Sequence, residues 1–388
     1  MVATFVDLKP DAYAEREQSD KPKQNKINTL FKDIPDPRIE RTKYHPLETI
    51  LYIVLCGTLA GIDDFVGYQD YAHAHEEELS KIIDLSSGIP SHDTISRVLS
   101  LLDIEALSES FETFVSGIRN KAKQGIIAID GKTIKGSYDK KEGVSAKHIV
   151  SAWADCCKTV LGQVNTSEKS NEITAIPELL DILDIDGQII TIDAMGCQRE
   201  ICQKIIEKNA DYVISLKGNQ GTLHKDIKAY FSNEALPITH EWEEIDKGHG
   251  RLEQRKCKTI DDIDWLQNHH KWPHLKSVAV VYSRVERDNK IHKETRYYLS
   301  SLPADAEKIA KAARAHWGIE NRLHWVLDVT WNEDKSRIRK DNSPEIVSMM
   351  RKWALNMINQ QKGKLSVKRM TRKIAMSPGF LLDFLENI

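Results

Sequence analysis

Three carboxylates stand where chemistry can be built. Asp130 ends the run Gly125-Ile-Ile-Ala-Ile-Asp-Gly131, and Asp193 ends a second run of the same kind, Gln188-Ile-Ile-Thr-Ile-Asp-Ala194. A short apolar run closed by a turn residue reads as a strand buried on both faces. Each acid then sits at a strand end, where a carboxylate leaves the core for a cleft. Gly131 lets the chain turn there, and Lys132 and Lys135 bring positive charge beside Asp130. The third acid, Glu320, lies in Ala315-His-Trp-Gly-Ile-Glu-Asn-Arg-Leu-His-Trp325, which reads as helix. Taken singly, the two aspartates are ordinary turn formers and Glu320 is a solvated helix residue. Taken together they can hold magnesium, which prefers carboxylate and water oxygens. Two such ions about 3.5–4 Å apart activate a nucleophile and stabilise a leaving oxygen in phosphodiester chemistry.

The elements around these acids alternate. Strands are expected at 126–130, 148–155 and 159–165, a helix at 172–183, the Asp193 strand, a helix at 198–208 and a strand at 212–216. That order makes a mixed α/β sheet. From 217 to 303 the texture becomes β-rich, with strands expected at 238–246, 253–260, 277–287 and 295–299, as an insertion that separates the sheet from the Glu320 helix. A helix at 305–315 is expected to bend at Gly318, and another to fill 341–358. Ahead of the sheet, 44–59, 64–75, 76–85 and 104–123 read as helices of a small N-terminal domain. The domains expected are a loose leader (1–26), a helical unit (27–120), a catalytic unit (121–330) and a basic helical region (331–388).

Composition narrows the class. The 388 residues are 40% hydrophobic and 29% charged, values of an ordinary soluble globular protein of more than one domain. The six cysteines form no CxxC pair and lack zinc-spaced histidines, so they read as reduced thiols of a cytoplasmic protein. The polar, charged stretch 1–26 does not read as a signal peptide. The longest apolar stretch, 50–62, is too short for a bilayer and is broken by Gly57 and Gly61, so no membrane partner is expected.

A net charge of -3 does not announce a nucleic-acid partner, so local charge must. Ser91 or Asp93 can cap a helix with Ile95, Val98, Leu99 and Leu102 on one face and His92, Thr94, Ser96 and Arg97 on the other. It reads as either a DNA-recognition helix or a plain amphipathic one. The turn Lys247-Gly-His-Gly-Arg251 offers His249 and Arg251 as phosphate contacts or as an ordinary charged hairpin. Between 335 and 373 twelve basic residues, among them Arg351, Lys352, Arg369 and Arg372, are opposed only by Asp341 and Glu345. So lopsided a stretch suits a polyanion.

Several motifs resemble a known family. Pro35-Asp-Pro-Arg38, His45-Pro-Leu47, Gly88-Ile-Pro-Ser-His-Asp-Thr94, Ile129-Asp-Gly-Lys-Thr133, Ile192-Asp-Ala194, Leu216-Lys-Gly-Asn-Gln220, Gly248-His-Gly-Arg251 and His316-Trp-Gly-Ile-Glu-Asn321 with Leu327-Asp-Val329 occur in this order. Together they look like the H-repeat-associated (ISAs-type) transposases of bacterial insertion sequences. The resemblance implies a ribonuclease H-like catalytic domain of DDE type, with Asp130, Asp193 and Glu320 as the acids. It also implies two Mg²⁺ or Mn²⁺ ions, and double-stranded DNA, both element ends and target, as the partner. A homodimer on synapsed DNA and a place at the bacterial nucleoid follow from the same likeness. One departure stands out. Where related transposases carry a Tyr–Arg–Glu–Lys signature, this chain has Ala313, His316, Glu320 and Leu327. Arg314, Arg322 and His324 are the nearby stand-ins.

Other classes remain open. A metal-dependent nuclease that cuts without joining needs the same acids. A catalytically silent DNA-binding descendant would not need three converging carboxylates, and a metalloenzyme for small substrates would not need the basic tract.

Overall fold

The computed structural model of the chain describes residues 29–118, 125–166, 171–248, 250–288 and 290–388. The leader expected at 1–26, the boundary near residue 120 and His249 lie outside the described residues.

Among the described residues nine strands form one sheet. The first five are β1 (Ile126–Thr133), β2 (His148–Ala154), β3 (Thr159–Asn165), β4 (Ile189–Ile192) and β5 (Asp211–Leu216). They lie in the order β3-β2-β1-β4-β5. The first three pair antiparallel, while β4 runs parallel to β1 and β5 to β4. This is a ribonuclease H-like core, and it places the ends of β1 and β4 side by side. Four more strands follow: β6 (His240–Gly248), β7 (Arg251–Ile260), β8 (Ser277–Arg287) and β9 (Lys290–Ser300). They pair as successive antiparallel neighbours, and β9 joins them to β5. The insertion is β-rich as expected, but it extends the β1–β5 sheet instead of standing apart from it.

The central strands are apolar without interruption because both their faces are covered. Ile189 and Val213 pack with Ala306, Ile309, Ala310 and Ala313 of α10 (Ala306–Ile319) on one face. The alternate residues Ile190, Tyr212 and Ile214 face the larger core. That core also takes in α1 (Leu47–Leu59), α4 (His92–Leu101), α5 (Ile104–Ile118) and α12 (Ser343–Gln361). Trp353 of α12 meets Phe31 and Phe111 edge-on, with ring centroids 5.2 and 5.3 Å apart. Its neighbour Asn356 bonds Val160 through both amide atoms, accepting from the backbone N–H at 2.8 Å and donating to the carbonyl at 2.9 Å. The side-chain amide thus stands in for a strand at the β3 edge. The helical N-terminal unit, the sheet and α12 therefore share one apolar interior. Two shorter helices, α13 (Val367–Met376) and α14 (Pro378–Glu386), end the chain.

Candidate metal centre

β1 does not turn at Gly131. It runs on to Thr133, with Asp130 opposite Ser151 and Thr133 opposite His148. Glycine is needed for a different reason: a Cβ there would lie 2.2 Å from Glu172 Oε1 and 2.4 Å from His148 Nε2. Those two side chains bond each other at 2.8 Å, directly against the strand beside Asp130.

Asp193 follows β4 and folds its own loop. Its Oδ1 accepts from the N–H groups of Met195 at 2.8 Å and Gly196 at 3.3 Å. The loop is latched from the end of β5, where Asn219 donates to the Ala194 carbonyl and Gln220 to that of Cys197, each at 2.6 Å. These are the last two residues of the Leu216–Gln220 motif.

Glu320 arrives on a helix that carries straight through Gly318. The irregularity comes two residues later as a π turn, Glu320–His324, before α11 (Trp325–Trp331) resumes. Such turns interrupt helices chiefly at functional sites. Gly318 instead makes room for Asp155, whose Oδ1 lies 2.6 Å from where a Cβ would be and accepts from Arg322 at 2.8 Å. Leu323 and Leu327 anchor the helix in the core, whereas Trp317 is 38% exposed, with the Arg296 guanidinium 4.3 Å from its ring centroid.

The structure brings Asp130, Glu320 and His324 together, one donor atom of each lying within 4.8 Å of the others. Asp130 and Glu320 line a cavity of about 180 Å³ together with Asp193, Lys217, Arg296 and His316. Burial pushes the Asp130 carboxyl up to about 8, reinforced by the charges of Glu320, Glu172 and Asp193. His324 instead holds Glu320 below its ordinary value. Burial lowers His316, which meets Thr191 Oγ1 at 3.2 Å. Crowded carboxylates with a buried imidazole are a donor set that fits a divalent cation. Sequence reasoning had reached His324 only as one of three stand-ins, and had not singled out Arg296 or Lys217 as cavity residues.

The basic residues divide. Arg97, Lys135, Arg251, Arg369 and Arg372 are exposed. Lys135 meets Asp334 at 2.6 Å and Arg251 meets Glu253 at 3.2 Å. Lys132 is turned inward, its Nζ held by Asp328 at 2.8 Å, Asp334 at 2.9 Å and Glu333 at 3.1 Å. Arg351 and Lys352 are 1% and 3% exposed, so they do not lie on a DNA backbone as expected. The reason is that α12 is buried nearly all round. Its Arg351 pairs with buried Glu333 at 3.5 Å, and Lys352 donates to Gln163 at 2.6 Å.

Comparison with known proteins identifies relatives of the chain. The family model described as Transposase DDE domain matches residues 121–357, and that described as DDE_Tnp_1-associated matches residues 28–115. YncI of Escherichia coli O157:H7, a candidate transposase by name, is 42% identical over 364 residues, 91% of this chain and 93% of its own. The H repeat-associated YhhI of Escherichia coli strain K12, also a candidate transposase by name, is 40% identical over 360 residues, 91% of this chain and 95% of its own. A piggyBac transposase synaptic complex with hairpin DNA aligns at a TM-score of 0.43 and 11% identity, over 92% of this chain and 80% of that one. A likeness that loose carries no weight, and the fold rests on strand order. With more than half its length matched by the domain model and two near-full-length relatives, the chain belongs to the DDE transposases, among the H-repeat-associated members.

Proposed function

We propose that this protein cleaves DNA at the ends of an insertion sequence and joins the freed ends to target DNA. The observation that carries this reading is one cavity reached by Asp130 and Asp193 from adjacent parallel strands and by Glu320 from the π turn. These three residues would hold two Mg²⁺ or Mn²⁺ ions. When bound, such ions activate a water or 3′-hydroxyl and stabilise the leaving oxygen of an in-line displacement. The protein's own part is positioning. The backbone bonds of Met195 and Gly196 fix Asp193, Gly131 lets β1 pack close against the His148–Glu172 pair beside Asp130, and Lys217 and Arg296 offer positive charge to the scissile phosphate. No covalent protein–DNA intermediate is required.

In this reading residues 27–120 form a DNA-binding unit with α4 as its reader, residues 121–330 the catalytic unit, and 331–388 an accessory basic region. Arg97, Lys135, Arg251, Arg369, Arg372 and His249 contact DNA, and two copies act on a synapsed pair of ends. The reaction takes place in the bacterial cytoplasm, at the nucleoid. Among the described residues no helix is long and apolar enough to cross a membrane.

The test is incubation with Mg²⁺ and the DNA flanking the protein's own gene, scored separately for end cleavage and for joining. Glu320→Gln should abolish cleavage while folding and DNA binding persist, and Asp328→Asn should leave measurable cleavage. Cleavage without joining would reduce the activity to that of a nuclease. No metal-dependent cleavage by the folded wild-type chain would leave a DNA-binding protein.

A further inference from the structure

We infer that His324 is a nitrogen ligand of the divalent cation held by Asp130 and Glu320. The inference rests on the reading of those two carboxylates as metal ligands and adds a donor of different chemistry to them. His324 is 6% exposed, and its Nδ1 lies 3.6 Å from Asp130 Oδ2 and 3.7 Å from Glu320 Oε2. At 3.6 Å and beyond, neither separation is a hydrogen bond. Its Nε2 is buried without a hydrogen-bond partner. It is the other ring nitrogen, Nδ1, that is aimed between the two carboxylates. Two donors each about 2.1 Å from one ion lie at most about 4.2 Å apart. The two His324 separations fall inside that limit and the three donor atoms all lie within 4.8 Å of one another, so a small closing movement lets one ion be shared by the three groups.

The π turn supports the same assignment. It spans Glu320 to His324, so both side chains are set by the one irregular turn of the helix. Leu323, within that turn, is buried and holds it against the core.

The chemistry has a consequence for metal choice. Carboxylates and water suit Mg²⁺, whereas imidazole favours later, softer ions of the first transition row. A site with two carboxylates and one imidazole should bind Mn²⁺ more tightly than Mg²⁺, and part of that preference should reside in His324.

The experiment uses the full chain loaded with Mn²⁺ and read by electron spin-echo envelope modulation. Wild type should show nitrogen coupling to the ion. That coupling should change to the ¹⁵N pattern when only the histidines are ¹⁵N-labelled. His324→Gln should lose the coupling and bind Mn²⁺ roughly tenfold or more weakly, while His316→Gln keeps it. Bound Mn²⁺ without histidine coupling in wild type would overturn the inference with no variant involved, as would coupling that survives in folded His324→Gln. Asp130→Asn separates the two levels. If it does not weaken Mn²⁺ binding, the reading of the carboxylates fails. If it does, and histidine coupling is absent from wild type, only the role of His324 fails.

Discussion

At Gly131 a missing side chain does the positioning. Its absence admits the Glu172–His148 pair, whose atoms would otherwise lie 2.2 and 2.4 Å from a Cβ. Gly131→Ala should therefore destabilise the fold by about 1–3 kcal/mol, the usual cost of overpacking. Pairing it with Glu172→Ala should recover part of that loss. Urea unfolding of the two single variants and the double would show it, and strictly additive losses would place the strain elsewhere. The acids of the two strands were legible in the sequence because burial on both faces writes an apolar run that a lone Asp then closes. The turn expected at Gly131 was not there, since residues 131–133 stay paired with β2. His324 carried little signal. One histidine on a helix repeats with no period, and the π turn that presents it arises from packing against distant residues.

Elements such as α12 show where charge counting fails. Arg351 and Lys352 sit in a basic tract, yet their partners Glu333 and Gln163 come from elsewhere in the chain and take them inside. Local sequence sums charge but is blind to such distant partners. One exposed part of the tract is α13, with Arg369 and Arg372. If α13 lies on DNA, replacing both with Gln should flatten the salt dependence of binding by about 0.9 in log–log slope per lost phosphate contact. Arg351→Gln should leave that slope unchanged and lower stability instead. Titrating salt for the three proteins decides the matter, and an unchanged slope in the α13 variant would remove that helix from the interface. Lys352 adds a pH signature. Burial lowers its amine to about 8, below its ordinary value. Between about 8 and 10 the unfolded chain then binds more protons than the folded one, so stability from this group rises with pH across that window. Chemical denaturation at pH 7.5 and 9.5 should show the gain in wild type and a smaller one in Lys352→Met.

The whole molecule is bound together by one sheet and one main interior, and a cation at the acids should be felt throughout. Mn²⁺ at about 100 times its Kd should add about 2.7 kcal/mol of stability by mass action. Thermal unfolding should show that gain in wild type and lose most of it in Asp130→Asn. At this scale strand positions and the α/β class were readable from apolar runs and turn residues. The union of the insertion with the catalytic sheet was not, because pairing of β9 with β5 joins residues about 80 positions apart, and nothing local encodes it. The sheet's two borders have a further consequence. At one, Asn356 occupies the Val160 backbone groups. At the other, exposed β6 carries Glu241, Glu243, Glu244 and Asp246 against Lys247. Two copies brought together along β6 would set like charges side by side, which is how natural sheets avoid aggregating. Self-association by strand addition is thus disfavoured at both borders. Among the described residues, neither border of the sheet invites a second copy to extend it.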